Sequence, residues 1–174
     1  IQIIGGEKRG KKLLIPEDTD IRPTKNILRK ALFDIINMKI SGATFLDLFC
    51  GSGAIGIEAI SRGAKLSVFV DENNSVISIL KKNILDCNFE KRSIILPLKW
   101  QRALERLSED KFLFDYIFID APYAFSSYNT LIEVINNCHI LSTTGRIFIE
   151  KSRKKKIELP NEIKIVDERK FGNS

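Results

Sequence analysis

The chain has one histidine, His139, and three cysteines, Cys50, Cys87 and Cys138, none of them in a CxxC pair. A single imidazole cannot build a multi-histidine metal centre, and it makes Ser-His-Asp chemistry a poor fit. His139 is expected to be structural. Scattered cysteines argue against a zinc site or a disulfide scaffold and fit a reducing cytosol. No apolar run approaches the ~20 residues that a membrane-spanning helix needs. The first ten residues lack the apolar core of a signal peptide. With 5 prolines, 10 glycines and no internal repeat or low-complexity linker, the collagen-like, solenoid and disordered classes fall away.

What is present suits one globular domain over residues 1–174. Of the 174 residues, 44% are hydrophobic, enough for a sizeable core. The formal net charge is +6, which favours a polyanionic partner. Much of the excess lies near the start, in Lys8, Arg9, Lys11, Lys12, Arg22, Lys25, Arg29 and Lys30. Residues 1–40 therefore read as a basic strand-turn and helix extension, and residues 41–174 as the cofactor-binding and catalytic core. Lys8–Lys12, flanked by Gly5, Gly6 and Gly10, predicts a basic turn between short strands. Thr24 is a plausible N-cap for a helix over 25–38. Ile27, Leu28, Ala31, Leu32, Ile35 and Ile36 give that helix one apolar face, with Lys25, Arg29 and Lys30 on its other side.

From Thr44 the pattern alternates. Strands are predicted at 44–49, 66–70, 93–96, 116–119 and 146–149, with helices at 54–62, 75–85, 100–107 and 128–137. In the second of these helices Asn83 falls at the same spacing as Val76, Ile79, Leu80 and Ile84. Repeated strand–helix units with nearly continuous apolar strands imply a mostly parallel α/β sheet with helices on both faces. Ligands of such sheets sit beyond the carboxyl ends of the strands. Asp47–Gly53, Asp71 and Asp120–Tyr123 all fall at such ends.

Gly51, Gly53 and Gly56 match GxGxxG, and Asp71 follows Gly51 by 20 residues. Alone, this is the dinucleotide fingerprint. Asp47 separates the readings. A pyrophosphate prefers bare helix amides, and a neighbouring carboxylate repels it. S-adenosylmethionine carries an ammonium and a sulfonium and no phosphate, so it is favoured by the same carboxylate. Asp71 suits ribose hydroxyls under either reading, and the blander role for Asp47 is to cap the loop's own amides. Asp47, Cys50, Gly51, Gly53 and Asp71 are the candidate cofactor residues.

The fourth strand ends Asp120-Ala121-Pro122-Tyr123. The amino nitrogen of a nucleobase is a weak nucleophile, because its lone pair is delocalised into the ring. Two acceptors aimed at its hydrogens draw it toward tetrahedral geometry; the Asp120 carboxylate and the Ala121 carbonyl can serve. Pro122 holds Ala121 extended. Tyr123 offers a stacking face, worth ~1–3 kcal/mol. Asp120, Ala121, Pro122 and Tyr123 are the candidate catalytic residues.

These segments resemble the bacterial methyltransferases that modify the exocyclic N2 of a guanine in 16S ribosomal RNA, the RsmD type. The resemblance covers nearly the whole chain. It runs through Ile3-Ile4-Gly5-Gly6 with Arg9-Gly10, Ile21-Arg22-Pro23-Thr24 with Arg29, Leu46–Ala59, Ser61-Arg62-Gly63-Ala64 and Glu168–Gly172. It implies a Rossmann-like class I methyltransferase fold, S-adenosylmethionine as donor with no metal, rRNA in an assembling small subunit as acceptor, and a cytoplasmic monomer. Three departures stand out. Ala121 replaces the first Pro of the usual Asp-Pro-Pro-aromatic motif, which leaves a less rigid loop. Pro97-Leu98-Lys99-Trp100 has no acidic residue for the adenine amino group, and Trp100 reads as a core residue or an adenine neighbour. The resemblance also calls for a further strand after 163–171, so an incomplete C-terminal sheet edge is expected.

Arg9, Arg22, Thr24, Lys25 and Arg29 are the candidate RNA contacts, with the target base turned out toward Tyr123. Lys151, Arg153, Lys154, Lys155 and Lys156 read as a solvated loop or as phosphate contacts. Rival readings are a nicotinamide oxidoreductase, a DNA adenine-N6 methyltransferase and a catalytically silent RNA-binding module.

Overall fold

The computed structural model describes residues 1–16, 23–122, 124–152 and 155–170, with the backbone alone for 23–26. Five strands form one parallel sheet: β1 (Thr44–Leu48), β2 (Leu66–Val70), β3 (Ser93–Leu96), β4 (Phe114–Ile119) and β5 (Leu141–Ile149), in the order β3-β2-β1-β4-β5. Helices α1 (Pro23–Ile36), α2 (Ala54–Ser61), α3 (Asn74–Cys87), α4 (Trp100–Glu109) and α5 (Tyr128–Asn137) surround it. The chain winds outward from β1 in one direction to β3 and in the other to β5. The crevice where direction reverses opens between β1 and β4.

The period of two along each strand sorts the core onto two faces. Leu46, Leu48, Val68, Val70, Ile117 and Ile119 meet Ala103, Leu104 and Leu107 of α4 and Leu131 and Ile135 of α5. On the other face Phe45, Tyr116 and Phe118 meet Leu32, Phe33 and Ile36 of α1, while Phe69 meets Ile57 and Ile60 of α2 and Leu80 of α3. Each of the buried Val, Leu, Ile and Phe side chains among them contributes roughly 1.5–3 kcal/mol. Asp47 alternates with Leu46 and Leu48 and so faces the α2 side.

Most boundaries fall within two residues of the sequence reading, and three of the differences have a physical cause. Helix α1 begins at Pro23, so Thr24 lies inside its first turn and is not its cap; a proline at the first helical position loses no hydrogen bond. Strand β4 starts two residues early because Asp115, which interrupts the apolar run, accepts a hydrogen bond from the Thr44 amide (2.9 Å) and one from Ser142 Oγ (3.3 Å). Strand β5 starts at Leu141, its polar opening stretch carried past a register shift opposite Phe114 and Tyr116. Residues 150–152 and 155–170 carry no helix or strand apart from a turn at 161–162. Among the described residues no helix is long and apolar enough to cross a membrane.

Residues 1–13 double back as expected, with Gln2 bridged antiparallel to Lys12 and the Ile3 amide donating to the Lys11 carbonyl (2.9 Å). This hairpin is fastened to the end of α2. The Glu7 amide donates to the Ser61 carbonyl (2.8 Å), the Lys8 amide to Ser61 Oγ (2.9 Å), and Ser61 Oγ to the Gly5 carbonyl (2.7 Å). Fully buried Glu58 accepts from the Ile4 amide (2.8 Å) and from Arg62 Nε (2.7 Å), and the Arg62 guanidinium lies 4.8 Å from the Phe33 ring centroid. The two strings Ile3–Gly6 and Ser61–Ala64, far apart in sequence, are each other's contacts.

Gly6 is the tightest point of this joint. Its φ is +76°, and a Cβ there would lie 1.8 Å from the Ser61 carbonyl oxygen. Substituting Gly6→Ala should therefore destabilise the protein by on the order of 2–4 kcal/mol and should speed amide exchange in residues 1–13 before the rest of the chain. Thermal melting and hydrogen exchange check this; an unchanged midpoint with an intact hairpin would contradict it.

Candidate active site

β1 and β4 are hydrogen-bonded neighbours, with Leu48 in register with Ile119. Their tips therefore stand one strand spacing apart, ~4.8 Å. The Asp120 amide makes a long hydrogen bond (3.5 Å) to the Leu48 carbonyl, and on the other side the Cys50 amide donates to the Val70 carbonyl (3.0 Å). The glycine loop, Asp71 and the Asp120 motif thus leave the same edge of the sheet from three adjacent strands.

The loop is held by the two carboxylates the sequence picks out. Asp47 is buried, and its Oδ2 accepts from the Gly56 amide at 2.8 Å. The blander role, capping the loop's own amides, is thus real for one oxygen. Asp71 Oδ2 accepts from the Gly51 amide and its Oδ1 from the Asn73 amide, both at 3.0 Å. Burial pushes the Asp47 carboxyl up to about 8; the Gly56 hydrogen bond opposes this, and the nearby Asp120 and Asp71 carboxylates add to it. Burial, with the same Asp47 and Asp71, also holds the Cys50 thiol well above its ordinary value, so Cys50 stays protonated and is no nucleophile.

The glycines divide the work. Gly51 (φ +55°) and Gly53 (φ +79°) turn the chain from strand to helix. A Cβ on Gly53 would strike Leu80 Cδ1 at 2.2 Å, and one on Gly56 would strike Phe69 Cε1 at 2.3 Å. A Cβ on Gly51 would meet nothing within 4 Å. Gly53 and Gly56 therefore serve packing, whereas Gly51 leaves space where a ligand can approach the backbone.

On the β4 side, Ala121 is buried and Pro122 exposed. The Phe125 amide donates to the Pro122 carbonyl (2.8 Å), which closes a turn after the motif. The Phe125 ring then packs edge-on to Phe49 of the glycine loop (5.3 Å between centroids), Trp100 (6.2 Å) and Tyr128 (5.0 Å). Phe49 reaches this contact from a left-handed backbone, φ +63°, a strain of about 1–3 kcal/mol for a non-glycine residue. Trp100 packs against the core edge through Phe125.

Tyr123 and Arg22 lie outside the described residues. Thr24 and Lys25 lie in the first turns of α1. Arg9 is exposed on the hairpin. Arg29 requires a correction: it does not sit on a solvent face of α1. It is only 2% exposed, and its Nη2 donates to the Gln2 carbonyl at 2.5 Å. Burial lowers its pKa, opposed by Glu58. Its charge serves to fasten the hairpin, which a helical wheel cannot distinguish from an RNA contact. His139 is exposed at the turn after α5, at the opposite edge of the sheet from the glycine loop. Among the described residues no group of three or more His, Cys, Asp or Glu stands together as a metal site.

Sequence reasoning missed two residues that shape the site. Asn83 is buried within α3; its Oδ1 accepts from the Leu14 amide (2.8 Å), and its Nδ2 donates to the carbonyls of Leu14 and Ser52 (both 2.9 Å). Its only signal is an amide at an apolar spacing. Phe125 follows the catalytic motif at a spacing no motif prescribes, and nothing in the sequence marked it.

The whole chain, residues 1–174, matches the family model described as Conserved hypothetical protein 95. A protein of Buchnera aphidicola (subsp. Acyrthosiphon pisum) named ribosomal RNA small subunit methyltransferase D is 33% identical over 162 residues, covering 92% of this chain and 82% of its own. The protein of the same name from Haemophilus influenzae is 30% identical over 176 residues, covering 99% and 89%. Among solved structures, yhhF of Escherichia coli superposes with a TM-score of 0.85 at 26% identity, covering 99% of this chain and 93% of its own. With a sheet in the order β3-β2-β1-β4-β5 and a match over its full length, the chain belongs to the Conserved hypothetical protein 95 family, that of the ribosomal RNA small subunit methyltransferase D proteins.

Proposed function

We propose that this chain transfers a methyl group from S-adenosylmethionine to the exocyclic N2 of a guanine in 16S rRNA during small-subunit maturation in the cytoplasm. The observation that carries the reading is the convergence of three carboxyl groups, Asp47, Asp71 and Asp120, at the sheet's edge: burial and the other two raise Asp47 to about 8, so that a bound cation would favour its ionised form. Such a site is hostile to a pyrophosphate and suited to a cation. The open space over Gly51, beside Asp71, supports a donor bound there, with Asp71 as the partner of its ribose and Asp47 of its charged end. The family's named members support rRNA as the acceptor.

The donor supplies a methyl group on a cationic sulfur, which keeps the bonding pair and leaves as a neutral thioether. The chain's own part is positioning. Asp120 and the Ala121 carbonyl accept the two amine hydrogens, which turns the nitrogen lone pair out of conjugation and toward the methyl carbon. As the new N–C bond forms, the surplus proton passes to the Asp120 carboxylate. Pro122 and Tyr123 hold the base in line. Arg9, Arg22, Thr24 and Lys25 contact the acceptor's backbone, whereas Arg29 serves from inside.

Labelled-methyl transfer to unmodified small-subunit RNA and particles, followed by mapping of the modified nucleoside, tests the reading. N2-methylguanosine is expected; label on adenine or no label would reject it. Asp120→Ala should abolish turnover while RNA affinity stays within about twofold, measured by filter binding beside single-turnover methylation; equal turnover would remove Asp120 from the reaction. Neutralising Arg9 and Arg22 together should weaken RNA binding and flatten its dependence on salt; unchanged methylation would remove them as contacts.

Asp47 gives a prediction with a defined sign. Its folded-state pKa is raised from 3.8 to about 8, so its favourable contribution is complete below about pH 4 and is lost as pH rises to 8. Asp47→Asn, isosteric and still able to accept from Gly56, should be the more stable protein at pH 8, by on the order of a few kcal/mol, with the advantage fading toward pH 4. The same variant should bind S-adenosylmethionine at least about tenfold more weakly. Thermal melts across pH and calorimetric titration check both; a variant destabilised at pH 8 with full donor affinity would contradict the assignment.

A further inference from the structure

The basic run after β5 is uneven. Lys156 is exposed, whereas Lys155 is half-buried and turned inward. Its amide donates to the Ser152 carbonyl (3.0 Å). Its ammonium donates to the Phe125 carbonyl and lies 5.9 Å from the Tyr128 ring centroid. Two further contacts tie the same strap to the start of α5: Tyr128 Oη donates to the Glu150 carbonyl (3.3 Å), and the Glu158 amide to Asn129 Oδ1 (3.0 Å).

The bond to Phe125 falls at a critical place. Asp120 closes β4 and fixes one end of the motif. Phe125 closes the turn at the other end through its amide bond to Pro122. Between them lie the Ala121 carbonyl and Tyr123, the acceptor and the stacking face assigned to the target base. Ala121 lacks the ring that the resembled motif carries at this position, so the loop's own covalent stiffness is reduced. The far end of the turn is instead held by an ammonium–carbonyl bond, a charge-assisted hydrogen bond and so among the stronger ones. The Phe125 ring, wedged against Phe49 of the glycine loop, carries the same restraint to the donor side.

We propose that Lys155 is a positioning residue for methyl transfer: by holding the Phe125 carbonyl it fixes the Asp120–Phe125 turn against the glycine loop, and it does not serve as a phosphate contact. This rests on the methyltransferase reading above. A misplacement of 1 Å in such a loop costs on the order of a hundredfold in rate.

Lys155→Met keeps the aliphatic stem over Tyr128 and removes the donor. In single-turnover methylation of small-subunit particles its rate should fall roughly tenfold to a hundredfold. Donor affinity, RNA affinity and the slope of log affinity against log salt should stay as in the wild type. Lys155→Arg, which retains a cationic donor, should recover part of the rate. The inference is overturned if Lys155→Met keeps the wild-type rate, or if it weakens RNA binding and flattens the salt slope instead. Thermal melting separates either result from unfolding: a variant that melts early and is not rescued by Lys155→Arg also counts against it. A wild-type protein that transfers no methyl group would reject the parent reading, a different outcome from an active wild type beside an unimpaired Lys155→Met.

Discussion

The buried carboxylate of Asp47 is the constraint around which the rest is arranged. It stands one residue from the end of a central strand, on the face covered by α2, with a single amide hydrogen bond to Gly56 to offset its burial. Two more carboxylates, on the tips of β2 and β4, raise the cost of its charge further. A protein gains nothing in stability from such a cluster. On the proposed reading the cost is recovered when something positive binds, so that a sulfonium or an ammonium would be favoured there over a phosphate-bearing dinucleotide.

Around that cluster the fold supplies rigidity from several directions. Asp71 grips the Gly51 amide, Asn83 grips the Ser52 carbonyl, and Asp47 grips the Gly56 amide, so the glycine loop is fastened at three points. Asn83 also holds both backbone groups of Leu14, which ties the N-terminal segment to the same loop. At the tip of β4 the turn after Asp120 is joined to the glycine loop by Phe125 and to the C-terminal strap by Lys155. The two loops meet through Phe49 and Phe125, and the strained backbone at Phe49 is the cost of that meeting.

Much of this was legible in the sequence because it follows from local rules. Leu66–Val70 and Tyr128–Asn137 could be read to the residue, since apolar periodicity and punctuation by polar residues agree there. The clustering of Asp47, Asp71 and Asp120 followed from the rule that parallel strands present their carboxyl ends on one edge. What could not be read depends on partners distant in the chain. Arg29 looks like a surface cation on a helical wheel, yet the hairpin and Glu58 enclose it. Asp115 looks like a strand breaker, yet it caps the Thr44 amide of the next strand. Lys155 is indistinguishable from Lys156 in a run of like charges until the return of the strap turns one inward and leaves the other in water. In each case the deciding partner lies far away in sequence.

A crystal structure grown with S-adenosylmethionine addresses the central claim most directly. The account predicts the ribose at Asp71 and the methyl-bearing sulfur in the gap between the tips of β1 and β4, with Asp47 on one side and Asp120 on the other. A donor seated at another edge of the sheet, or bound at this edge with its methyl group turned away from the Asp120 turn, would contradict it.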